Sequence, residues 1–285
     1  MVLVALVRIR QLSAKHKLSA TALATFMESP KAYYFRYIKR LEPISKSVGS
    51  YDHDKECGIL WSEFVDRFYK KVPEVDNTAQ MFKDWDERTD GWVPPAFKER
   101  LTKAMSSWAT TYYQSFSPDD GVRNGSEKLV ENDRFLGYLD GLSPDEKTIH
   151  ECKSTSRAKS VSEQLLKYQT SLQVKLYAVL TGATGAILEF AYKDPPYSIF
   201  RAPRYDFTIE DVKGWEQSFN ALADYIYSLG EDEKNYLCYA DNCSLITKNY
   251  VGVCSYQSLC LGLPGAEICF KPKTHRGIAK QVETK

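Results

Sequence analysis

Apolar positions change period twice along the chain. They recur at helical spacing in the first third, alternate with polar residues between Gly121 and Ser154, and then return to helical spacing. Ser19 and Ser29 stand as N-caps and Pro30 at a first helical position, which predicts short helices over 19–28 and 30–40. Helical spacing around 56–70 and 95–115 predicts two longer helices. Within the alternating stretch, Asn124-Gly125, Asn132-Asp133 and Ser143-Pro144-Asp145 are residue types that preset or tolerate tight-turn angles, so three strands joined by tight turns are predicted. Residues 162–181 read as one strong amphipathic helix stopped by Gly182. A strand over 186–193, another near 198–209 and a helix over 210–229 follow. No internal repeat, low-complexity tract or linker interrupts the order, so the expectation is one α/β domain with helical insertions.

At 285 residues, 43% hydrophobic and 26% charged, the chain can bury a substantial core. The net charge of +1 means that a polyanionic partner must be met by a local basic face rather than by the whole molecule. No apolar run approaches the roughly 18 residues that span a bilayer. MVLVALVRIR is too short, and lacks a small-residue cleavage site, for a secretory signal. The expectation is a soluble, cytoplasmic protein with no membrane partner. The first 27 residues carry no acid but hold Arg8, Arg10, Lys15 and Lys17, which reads as a plain flexible N-terminus or as a transit-like segment. Seven cysteines, an odd number, do not make a secreted disulfide framework.

The densest chemistry lies in GYLDGLSPDEKTIHECKST, residues 137–155. A turn centred on Asp145-Glu146 sets Asp140 opposite Glu151, and opposed residues of an antiparallel pair have Cβ atoms about 4.5–5.5 Å apart. Two carboxylates that close repel, or one holds a proton, unless a cation sits between them. Magnesium meets that need with oxygen ligands at about 2.0–2.1 Å, often one or two carboxylates plus a phosphate. Glu151 and Lys153 leave the same strand face about 6.6 Å apart, with His150 and Cys152 on the other, so the lysine points at the same substrate. An acid two residues before a lysine recurs at Asp145-Lys147, Asp211-Lys213 and Asp232-Lys234, where it reads as turn or helix surface. Only the 151–153 copy sits in a β-pattern behind a strand that ends in another acid after Gly137.

Gly137-x-x-Asp140, then Glu151-Cys152-Lys153, then Gln173-x-x-x-Tyr177 resemble the PD-(D/E)XK nuclease superfamily, in the branch of RecB-type and CRISPR-adaptation exonucleases and their phage relatives. LSATALATFMESPKAYYFRYI (18–38) resembles the start of those domains and Cys254-x5-Cys260 their end. The resemblance implies an α/β fold with a mixed central β-sheet flanked by helices, a restriction-endonuclease-like core, with helical N- and C-terminal additions. It implies a single domain over 18–262, its core about 121–209, with 1–17 and 263–285 as flexible termini. Asp140 and Glu151 would ligate magnesium or manganese, together with the backbone carbonyl of Cys152. Lys153 would orient or deprotonate the attacking water. Gln173 and Tyr177, with Gln169 at i, i+4 and i+8 on one helix face, would hold the DNA strand or the active site. Glu127, on the preceding strand, either completes the metal shell or is an exposed strand glutamate.

Two departures from the family matter. Where many relatives carry a histidine in an upstream helix, CGILWSEFVDRFY (57–69) has Ser62 followed by Glu63. A single-metal site, substitution by Glu63 or His53, or weakened activity all remain open. Relatives with an iron-sulfur cluster place a cysteine before a proline near the N-terminus, whereas Ser29 precedes Pro30 here. Cys243, Cys254 and Cys260 match the C-terminal trio, yet a cluster wants four soft ligands. Either Cys57 or Cys238 supplies the fourth to a 4Fe-4S cluster, or the trio packs as a remnant.

In KAYYFRYIKR (31–40), Lys31, Arg36, Lys39 and Arg40 interleave with Tyr33, Tyr34 and Tyr37. This is either a surface that pairs phosphates and stacks bases, or an amphipathic helix whose tyrosines cap the core. Lys159 and Lys167 lie nearer the acids in sequence. The expected activity is a metal-dependent DNA nuclease, an exonuclease on DNA ends or single strands in recombination, repair or phage replication, with a recombination or replication protein as partner. It would work in the cytoplasm, the host's if phage-encoded. The alternatives are a non-catalytic DNA-binding or scaffolding relative and a restriction-type endonuclease.

Overall fold

The computed structural model describes residues 17–43, 53–89, 95–124, 127–155 and 160–237, with short pieces at 246–247, 250–251, 256, 259 and 270–272. Two compact units make up the chain, one from 1–48 with 222–285 and the other from 49–221. The expected core, about 121–209, lies within the second.

In the first unit, Ser19 Oγ accepts from the Ala22 N–H at 3.2 Å to cap α1 (Ala20–Glu28). Ser29 Oγ caps α2 (Pro30–Tyr33) through the Ala32 N–H, and the chain continues as a π-helical turn, Tyr34–Ile38. Strand β1 (Leu41–Pro43) pairs antiparallel with Phe270–Pro272. Tyr33 and Tyr34 are buried: Tyr33 stacks on Tyr37 with centroids 5.1 Å apart, and Tyr34 leans on Tyr236 at 5.0 Å. Those two rings therefore serve the unit's own core, as the amphipathic-helix reading has it, and do not offer faces to bases. Lys31 is tied to Glu233 at 2.8 Å.

The second unit opens with α3 (His53–Tyr69), α4 (Glu74–Thr89) and α5 (Pro95–Ser115). Helix α4 was not foreseen because its buried stripe, Asn77, Met81 and Trp85, includes a polar residue. Asn77 is satisfied inside, donating to the Phe64 carbonyl at 3.0 Å and accepting from Arg67 Nε at 2.7 Å. The strands β2 (Lys128–Glu131), β3 (Leu136–Leu139), β4 (Gly141–Leu142) and β5 (Thr148–Thr155) come next. Where three strands were expected there are four, because the middle one breaks at Asp140: β3 pairs with β2, while β4 turns to β5.

Helices α6 (Val161–Gln169) and α7 (Leu172–Thr181) cross from β5 to β6 (Gly185–Tyr192). The single helix expected over 162–181 is corrected to two, since Thr170 ends the first and Ser171 Oγ caps the second at the Val174 N–H. Gly182 ends α7 at φ 71° as expected. Then come β7 (Ile199–Arg201), β8 (Tyr205–Asp206) and α8 (Ile209–Leu229), within which the boundary between the units falls. The sheet order is β4-β5-β6-β7 with β8 also on β6, and β5 and β6 are parallel while the other pairs are antiparallel. This is the expected mixed sheet between helices. Leu60, Trp61, Phe64, Trp108 and Tyr112 from α3 and α5 pack with Cys152 and Ala191 on one face. On the other, Val174, Tyr177 and Ala178 of α7 meet Ile149, Leu188 and Phe190. Because both faces are covered, β6 (GAILEFAY) is apolar almost throughout. Among the described residues no helix is long and apolar enough to cross a membrane.

Candidate active site

The hairpin between β4 and β5 sets the geometry. Ser143 accepts from the Glu146 N–H at its carbonyl, and its Oγ accepts from the Thr148 N–H at 2.9 Å, with Glu146 in the left-handed region at φ 58°. The resulting register pairs Gly141 with His150 and Leu142 with Ile149, so Asp140 arrives beside Glu151 as expected. Asp140 sits where the chain leaves one sheet for the next. Its Oδ2 accepts from the Cys152 N–H at 2.8 Å and its Oδ1 from Ser62 Oγ at 3.3 Å.

Lys153 Nζ stands 2.6 Å from Glu151 Oε2 and 3.9 Å from Asp140 Oδ2, so the three predicted side chains converge. Asp140 and Lys153 keep 16% and 20% of their side chains exposed, while Glu151 is at 0% beneath them. Burial, offset in part by Lys153 and reinforced by Asp140, pushes the Glu151 carboxyl up to about 7. Burial alone would lower the Lys153 ammonium's pKa, but Glu151 and Asp140 overcome it and hold it above the ordinary lysine range. Lys153 is thus the counter-charge for both acids. Glu151 Oε1 is buried with no hydrogen-bond partner among the described residues, an arrangement that a divalent cation would satisfy.

Gln173 and Tyr177 lie one turn apart on α7, with Gln173 Nε2 donating to the Tyr177 hydroxyl at 3.0 Å. That hydroxyl donates to the Tyr138 carbonyl at 2.6 Å, two residues before Asp140, so the pair braces the strand that delivers the acid. Gln169 closes α6 and does not share their helix face, which corrects the expected i, i+4, i+8 row. Gly137 is needed because a Cβ there would lie 2.2 Å from Tyr177 Cε1. Gly137→Ala is accordingly expected to cost about 1–3 kcal/mol in a urea melt. In a Tyr177→Leu background, where the ring is gone, the same change should cost clearly less.

Glu127 stands one residue before β2 rather than on it. It is exposed as a residue, yet partial burial of its carboxyl, with Asp140 and Asp66 nearby, raises its pKa. Ser62 bonds directly to Asp140. Arg123, which no sequence pattern marked, is buried with Nη2 2.8 Å from Asp66 Oδ1, and it lies close enough to temper Glu151. The glycine after Asp140 was the available signal, since a Cβ on Gly141 would come within 2.5 Å of the Arg123 stem. Tyr168 was likewise missed, with Lys153 Nζ 5.9 Å from its ring centroid. Cys57 is buried in the core under α3 and α5. Cys238, Cys243, Cys254, Cys260, Lys159 and the His53 side chain lie outside the described residues.

A search of curated proteins found no match. Among solved structures, a phage-related exonuclease from Haemophilus somnus 129PT is similar over 45% of this chain and 71% of that one, at 14% identity and a TM-score of 0.34. The family model described as the PD-(D/E)XK nuclease superfamily matches residues 17–260, a span that contains the hairpin, its two acids and its lysine. By that match the chain belongs to the PD-(D/E)XK nuclease superfamily.

Proposed function

We propose that the chain is a metal-dependent deoxyribonuclease that works as an exonuclease on DNA ends or single strands, in recombination, repair or phage replication. The observation that carries this is the convergence of Asp140, Glu151 and Lys153, with one Glu151 oxygen buried and unsatisfied among the described residues. In this reading Asp140, Glu151 and the Cys152 carbonyl hold the cation, and Glu127 is the candidate to complete the shell. Magnesium or manganese there supplies a Lewis acid that acidifies water and offsets charge growing on the phosphoryl oxygens. Lys153 carries three donors and a fixed positive charge, orients the attacking water and meets the phosphate. Gln173 and Tyr177 act through the strand that positions Asp140. The resemblance of the Gln173-x-x-x-Tyr177 pair to the exonuclease branch favours ends over internal sites.

A second reading, a DNA-binding relative without turnover, is favoured by Ser62, which gives a metal a weaker ligand than histidine. Incubating the chain with linear, circular and single-stranded DNA in magnesium, manganese or chelator separates the two. Metal-dependent loss of linear or single-stranded DNA with circular duplex spared is the expected result. Binding without cleavage under every metal would overturn it in favour of the second reading, and cutting of circular duplex would point to an endonuclease.

The buried glutamate also predicts a pH dependence for the metal-free chain. Folded Glu151 titrates at about 7 against an ordinary 4.5, so between those values the folded state holds a proton that the unfolded state lacks. The stability from that proton is full at low pH and is lost as pH rises through about 7. The thermal midpoint in chelator should therefore carry a falling component between about pH 4.5 and about pH 7, which Glu151→Gln removes.

A further inference from the structure

Behind the Asp140–Glu151–Lys153 face, the alternate residues of β5 point into the core under α3 and α5. His150 and Cys152 are two apart on the strand, and Glu189 is the direct partner of Cys152 in the parallel ladder with β6. All three are buried. Cys152 Sγ lies 3.7 Å from His150 Nε2 and 3.7 Å from Glu189 Oε1, and His150 Nε2 lies 3.6 Å from Glu189 Oε2. The 3.6 Å between His150 Nε2 and Glu189 Oε2 is long for a hydrogen bond between nitrogen and oxygen. The two sulfur separations are close to the roughly 3.6 Å edge of a tetrahedron around zinc with Zn–S near 2.3 Å and Zn–N or Zn–O near 2.0–2.2 Å, and one ligand atom of each residue lies within 4.8 Å of the other two.

Two further observations point the same way. His150 is wholly buried, and its Nε2 faces both the sulfur and the carboxylate. The two oxygens of Glu189 also divide their tasks. Oε2 accepts from Arg201 Nε at 2.8 Å and from the Tyr112 hydroxyl at 3.3 Å, while Oε1 meets only the thiol among the contacts of the described residues. Hydrogen bonds to the outer oxygen are what a ligating carboxylate normally has.

We infer that His150 Nε2, Cys152 Sγ and Glu189 Oε1 supply three ligands of a second metal site for a borderline divalent ion, zinc by its chemistry, on the reverse of the nuclease strand. One thiolate, one imidazole and one carboxylate suit zinc or cobalt and not magnesium, so this site does not compete for the ion expected at Asp140 and Glu151. The ion would clamp β5 to β6 at the residue whose carbonyl is assigned to the nuclease site. Binding forms the metal–sulfur bond and releases the Cys152 thiol proton to solvent, with no change of oxidation state. The inference does not depend on DNA cleavage.

The test uses untagged full-length chain, stripped and reloaded with zinc or cobalt. Cobalt is expected to give tetrahedral visible bands and a sulfur-to-cobalt charge-transfer band at one metal per chain. X-ray absorption of the zinc-loaded chain should show a first shell with a single sulfur. Cys152→Ser and His150→Gln should each lower zinc affinity by roughly a hundredfold or more. Asp140→Asn, and a combined Cys243→Ser, Cys254→Ser and Cys260→Ser variant, should retain the sulfur band. A zinc shell of nitrogen and oxygen alone, or one with three or more sulfurs, overturns the site even if the Cys152 and His150 variants fail to fold. So does a cobalt sulfur band that survives Cys152→Ser.

Discussion

Asp140→Asn and Lys153→Met are each expected to lower metal-dependent DNA cleavage by about 10²–10⁴-fold while leaving the fold intact. Asparagine keeps an oxygen for the Cys152 N–H and a polar group for Ser62, so the hairpin retains its two anchoring contacts and loses only the charge. What disappears is one of the two carboxylates that would hold the cation. Lys153→Met keeps the stem but removes the ammonium that stands 2.6 Å from Glu151. Glu151 then takes up a proton rather than remain charged in its buried place, so this variant should also bind the metal more weakly at neutral pH. Circular dichroism and a DNA-binding assay run beside the cleavage assay separate lost chemistry from lost structure. Retention of activity within about tenfold in either variant would remove these residues from the chemistry.

Arg201→Met is expected to be the most destabilising single change away from the nuclease face, by about 3–5 kcal/mol in urea unfolding with chelator present. Glu189 is wholly buried, and its pKa reflects a contest that the partners win: burial pushes it up, while His150 and Arg201 bring it below the ordinary glutamate range. The Arg201 guanidinium reaches four groups, Glu189, Asp120, Tyr69 and Tyr112, and lies 3.7 Å from the Phe116 ring centroid. Methionine fills the stem's volume but leaves the carboxylate without its cation, and an unpaired buried charge costs far more than a pair contributes. Adding Glu189→Gln to Arg201→Met should recover part of the loss, because it removes the charge left behind. A double variant as unstable as the sum of the single changes would mean that the pair acts through packing alone.

The chain's local patterns determined a good deal. Serine caps at Ser19 and Ser29, the stop at Gly182 and the register of the Asp140–Glu151 hairpin each depend on residues within one turn or one hairpin of each other. Period-two alternation also placed Glu151 and Lys153 on one face, since successive strand side chains must point oppositely. The break of 162–181 at Thr170-Ser171 was present as two adjacent capping types, but the apolar period across it concealed the junction.

Tertiary structure alone decided the rest. That Asp140 ends one sheet pairing and precedes the next, that Ser62 reaches it across 78 residues, and that Arg123 is buried beside Asp66 follow from how separate elements pack. The meeting of Cys152 with Glu189, 37 positions on, required the parallel pairing of β5 and β6 through two helices. Periodicity carries no information about which distant strand will be the neighbour. Burial of a charged or polar side chain is set by those neighbours, because only they can replace the water it gives up.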